Sequence, residues 1–112
     1  MRYSNLRSDI VLALAVVMLM PISGASFAAA DCRKDHIAAD QNVRRTRAGI
    51  EKFAEGTEAA RCAAYRRYIA ALTDQRTMMA RCDTGPNQAQ NVSSIDAIIA
   101  DFNKRAEASC AR

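Results

Sequence analysis

From residue 32 onward, apolar or small side chains recur every three or four positions, so they line one face of a helix instead of alternating as in a strand. Cys32, His36, Ala39, Val43, Thr46, Ile50 and Phe53 form a first stripe. Cys62, Tyr65, Ile69, Leu72, Arg76 and Met79 form a second, and Val92, Ile95, Ile99, Phe102, Ala106 and Ser109 a third. The punctuation between them predicts the ends. Asp31 is placed to cap the first helix, and Gly56 to close it in a left-handed conformation. Thr57 is placed to cap the second helix. Gly85-Pro86 stops the second helix, and the polar run 83–91 reads as a loop. Ser93-Ser94-Ile95-Asp96 fits a capping box opening the third helix, with Val92 stapling onto Ala97. The expected helices therefore cover roughly 32–54, 58–82 and 94–110. No stretch alternates as a strand would, and both connections are short. The expected fold is all-α, an antiparallel three-helix bundle running up, down and up.

The pattern before residue 31 is of another kind. Arg2 and Arg7 precede an unbroken apolar run from Ile10 to Met20, followed by Pro21, Gly24 and small residues ending at Ala28, Ala29 and Ala30. A basic start, an apolar middle and a small-residue end are the three parts of a secretory signal. Eleven apolar residues span roughly 16 Å as a helix, about half of a bilayer's hydrocarbon core, which disfavours a permanent anchor. The expectation is a signal peptide over 1–30 that is removed, and a single helical domain over 31–112 in the periplasm or outside the cell.

Composition then makes the cysteines important. Residues 31–112 contain 17 alanines and four aromatic residues, Phe53, Tyr65, Tyr68 and Phe102. Alanine favours helix but buries little apolar area, so so small a domain needs covalent help. The four cysteines allow three pairings. Helix rise chooses among them: measured from the first turn, Cys32 lies ~36 Å up the first helix and Cys82 ~39 Å up the second. Cys62 lies ~9 Å up the second helix, and Cys110, on the returning third, at ~15 Å. The predicted disulfides are Cys32–Cys82 and Cys62–Cys110, because the rival pairings leave gaps of ~20 Å or more against a Cα limit of ~7 Å. Ligand pairs of the CxxC or HxxxH type are absent, which argues against structural zinc, and without CxxC there is no dithiol redox motif.

Charge supplies the remaining candidate. Residues 31–112 carry 14 Lys+Arg against 11 Asp+Glu. Lys34, Gln41, Arg45 and Lys52 are spaced seven, four and seven apart and share one face of the first helix, within a basic run that includes Arg44, Arg47, Arg61, Arg66 and Arg67. Lys34, Arg45 and Lys52 are the candidate basic binding face, while Asp40/Arg44 and Asp101/Arg105 are spaced to pair along their own helices. A surplus of three charges with no nucleic-acid motif argues against nucleic acid as a partner. His36 lies one turn from Cys32, where an imidazole can titrate near neutral pH. Arg76 breaks its stripe, so it is expected to reach outward or to meet a carboxylate. No nucleophile–base constellation, glycine-rich phosphate loop or cofactor motif is present. The expected function is that of a noncatalytic envelope interaction module that binds, inhibits or protects another protein. The alternative is association of the basic face with anionic envelope lipid or lipopolysaccharide.

Overall fold

The computed structural model describes residues 24–111, with side chains from residue 31 onward. The expected signal segment lies outside the described residues, apart from the backbone of 24–30. Three helices follow in order: α1 (Gly24–Lys52), α2 (Glu58–Cys82) and α3 (Gln88–Cys110). They form the antiparallel bundle, and no strand occurs among the described residues.

The helix α2 matches its predicted limits. Thr57, in extended conformation, accepts the Ala60 N–H on its hydroxyl at 3.1 Å. The other two helices start early. Asp31 does not cap α1: it is exposed within a helix that already runs through the alanine-rich 24–30. Nor does Ser93-Ser94-Ile95-Asp96 open α3, which begins six residues sooner, with Asn87 at its cap position. The Ser94 hydroxyl instead donates to the Gln90 carbonyl at 2.9 Å, inside the helix. The run 88–91 is polar because it is largely a solvated helical turn, and polarity alone does not separate that from a loop. Gln88 ties the turn down by donating to the Ala80 carbonyl at 2.8 Å.

The first connection also closes differently from expectation. No glycine has a positive φ, so Gly56 is not a left-handed cap. Its N–H donates to the Phe53 carbonyl at 2.9 Å, and a Cβ there would stand 3.1 Å from that same oxygen. Arg61 supplies what the left-handed cap would have done. Its guanidinium donates to the Ala54 and Gly56 carbonyls at 3.1 and 2.7 Å, and to Glu58 at 2.6 Å. Carbonyls left without helical partners are thereby satisfied from the first turn of α2.

Packing centres on α2, which touches both other helices, whereas no Cα of α1 comes within 8 Å of one in α3. Among the residues whose side chains are described, five of the eight buried ones, Ala64, Tyr68, Ala71, Leu72 and Met78, belong to α2, and none belongs to α1. Tyr68, Leu72 and Ile95 form the core cluster, with Val43, Ile50, Met79, Ile99 and Phe102 packed around it. The Phe102 ring meets Tyr68 edge to face at 4.7 Å and Tyr65 at 5.9 Å, favourable aromatic geometries. The second stripe marks only part of the buried arc of α2, because a helix flanked by two others is covered on more than one face. The core is thin, as its composition implied: three of its seven hydrophobic members are alanine.

The disulfides pair as helix rise predicts. Cys32–Cys82 ties α1 to α2 with Cα atoms 5.5 Å apart, and Cys62–Cys110 ties α2 to α3 at 5.0 Å. The crosslinks sit toward opposite ends of α2. Among the described residues, no helix is long and apolar enough to cross a membrane. The disulfides are consistent with a protein that matures outside the reducing cytosol.

Candidate functional site

Around Cys32–Cys82 two charge pairs cross between helices, whereas Arg33 and Lys34 beside Cys32 make no ion pair among the described residues. Asp35 on α1 accepts from Arg81 on α2, and His36 Nε2 lies 3.1 Å from Oδ1 of Asp83, next to Cys82. His36 is thus a half-exposed member of the α1–α2 seam. Nearby, Arg76 on α2 donates to Asp96 on α3 through both Nε and Nη2, the latter at 3.1 Å to Oδ2. Arg76 accordingly meets a carboxylate. Its hydrogen bond lowers the Asp96 pKa; Coulomb attraction adds to this effect, while desolvation opposes it. The Asp96 carboxylate in turn raises the pKa of Arg76.

Toward the other end the basic residues outnumber their partners. Arg44 pairs with Asp40 at 2.9 Å and Arg105 with Asp101 at 3.0 Å, along their own helices as the spacing predicts. Arg61 is engaged by Glu58. Arg45, Arg47, Arg66 and Arg67 make no ion pair or hydrogen bond among the described residues, and Lys52 lies over the Phe53 ring, 5.4 Å from its centroid. Counted from the first turn, these five cations all lie within roughly 16 Å of it along the helix axes.

Three of them converge on one concavity. A groove of about 530 Å³ between α1 and α2 is lined by Asn42, Arg45, Thr46, Ala48, Gly49, Lys52, Phe53 and Arg67. Arg45 and Lys52 belong to the expected basic face, and the structure adds Arg67 from the opposite wall. Lys34 is exposed on the same face of α1 but lies outside the groove, about 16 Å along the helix from Arg45. A second concavity of about 520 Å³, between α2 and α3 beside Cys62–Cys110, shares Arg67 and adds Arg66 and Ser109. Sequence reading placed Arg66 and Arg67 in the basic run. It did not show that Arg67 faces α1, because that depends on how the two helices are rotated.

Chemically the α1–α2 groove is a cation-walled trough with an aromatic edge, lined also by Ala48 and Gly49. Such a surface attracts carboxylates or phosphates, with an affinity that falls as salt rises. All four cysteine sulfurs are held in disulfides. No group of three or more His, Cys, Asp or Glu side chains suited to a metal ion converges among the described residues. Comparison with known proteins gives no match: no family model, curated protein or solved structure resembles the chain.

Proposed function

We propose that this chain is an exported, noncatalytic interaction module of the cell envelope that binds an acidic surface of another envelope protein through the α1–α2 groove. The observation that carries the reading is the convergence of three cations without carboxylate partners on one concavity. Arg44, Arg61, Arg76, Arg81 and Arg105 are engaged by carboxylates, whereas Arg45, Lys52 and Arg67 line a groove without one. Unneutralised cations gathered in a concavity raise the local potential and await opposite charge. Export rests on the basic, apolar and small-residue segments before Asp31 and on two disulfides, which persist in an oxidising compartment such as the periplasm. Processing leaves Asp31 as the first residue, and N-terminal sequencing of the exported protein tests this.

Anionic lipid is the second reading. It is favoured by Ile37, a large apolar side chain 55% exposed on α1 between Lys34 and Gln41. Capture from an envelope extract separates the two. The oxidised protein retains acidic proteins at low salt, and an Arg45→Glu/Arg67→Glu variant does not. Equal retention by that variant refutes the groove as the binding surface. Binding of the wild type to anionic vesicles that the same variant loses, without any protein retained, transfers the function to lipid.

A further inference from the structure

Gly49 lies in the interior of α1, where glycine costs up to about 1 kcal/mol relative to alanine. The fold does not demand it. Its φ is not positive, and a Cβ built there would find nothing within 4 Å. What the missing side chain does is leave open space in the lining of the basic groove, with Ala48 beside it, Arg45 and Lys52 about one turn to either side, Arg67 on α2 and Phe53 at one end.

We infer that the groove seats a helix of the partner protein, whose backbone closes on Gly49 and Ala48 while its carboxylates reach Arg45, Lys52 and Arg67. The inference rests on the preceding reading that this groove is the binding surface, and it names the occupant. Small residues at a helix contact shorten the interaxial distance, and a helix lying in a groove is a recurrent mode of recognition. The cations also suit a rod better than a point. Arg45 and Lys52 are separated by roughly 10 Å of helix rise, too far for one phosphate but matched by carboxylates two turns apart on a facing helix. Arg67 on the other wall gives such a helix counter-charge on both flanks. A bilayer, by contrast, contacts protruding surface and gains nothing from a glycine set within a concavity.

The test uses the oxidised chain and a capped, labelled alanine-based helix of about 18 residues, long enough to be helical alone, with glutamates at i, i+4, i+7 and i+11. Its glutamine counterpart and vesicles of phosphatidylglycerol in phosphatidylcholine serve as comparison probes. Fluorescence anisotropy is expected to show binding of the glutamate helix that weakens with salt, and none of the glutamine helix. Gly49→Leu, which raises helix propensity but fills that space, is expected to weaken binding about tenfold or more, with Gly49→Ala falling between. Arg45→Glu/Arg67→Glu abolishes it. Thermal melts confirm that each variant remains folded. If Gly49→Leu binds as the wild type does while the charge reversal abolishes binding, the basic surface stands and the seated helix is refuted. Failure of the glutamate helix to bind, with or without vesicle binding, overturns the inference; vesicle binding alone overturns the protein-partner reading as well.

Discussion

Arg76 and Asp96, twenty residues apart in the chain, face each other across the α2–α3 seam in a two-pronged pair, with Nη2 3.1 Å from Oδ2. This hydrogen bonding holds Asp96 below the ordinary carboxylate range. A carboxyl whose pKa is depressed by folding contributes stability above its unfolded value, near about 3.9, and loses that contribution as pH falls through the folded value. Asp96→Asn should therefore melt below wild type at neutral pH, with the gap closing below about pH 4. With both side chains nearly half exposed, the neutral-pH gap is small. A gap that persists unchanged in acid contradicts the assignment.

The two disulfides should be separable in their effects. Replacing Cys32 and Cys82 by serine unties α1 while leaving α2 joined to α3; replacing Cys62 and Cys110 does the reverse. A loop of about 50 residues is worth roughly 4 kcal/mol in the chain-entropy model, so either pair of substitutions should lower Tm by at least about 10 °C. Circular dichroism melts measure this, and a non-reducing peptide map reads the connectivity directly.

Leu72 is 2% exposed at the centre of the core cluster, with Tyr68 and Ile95 beside it. Leu72→Ala should cost about 2–5 kcal/mol, a large share of the stability of so small a domain. Urea titration of the oxidised protein checks this. A loss below about 1 kcal/mol would mean that the cluster is not the centre of stability.

Gly49→Ala should act in the opposite direction. The site has helical backbone and open space for a methyl group, so the substitution should stabilise the fold by about 0.4–1 kcal/mol. The same urea titration resolves it. Together with weaker peptide binding, that outcome would make Gly49 a position where stability and recognition compete.

Much of this architecture was legible because it follows from one helical periodicity and the rise per residue. The α1 stripe from Cys32 to Phe53 consists entirely of half-buried residues, and the α3 stripe contains its buried members, Ile95, Ala106 and Ser109. Rise per residue was sufficient to pair the cysteines, since four fixed heights admit one closure. What escaped depended on contacts between helices. Asp96 looked like a capping residue because its spacing from Ser93 is right for one, but its partner is Arg76 on α2. Gly56 looked like a left-handed cap, yet Arg61 satisfies the carbonyls there. The basic face was read on α1 alone. Its opposite wall, with Arg67, entered only with the rotation of α2.

The bend at 53–57 lies within the ring closed by Cys32 and Cys82, and the bend at 83–87 within the ring closed by Cys62 and Cys110. An endopeptidase that severs either bend once therefore releases no fragment, because the two pieces stay tethered through sulfur. In surroundings rich in proteases, a nicked molecule of this kind retains all three rods, and shedding one by cleavage at the bends requires reductant as well as scission.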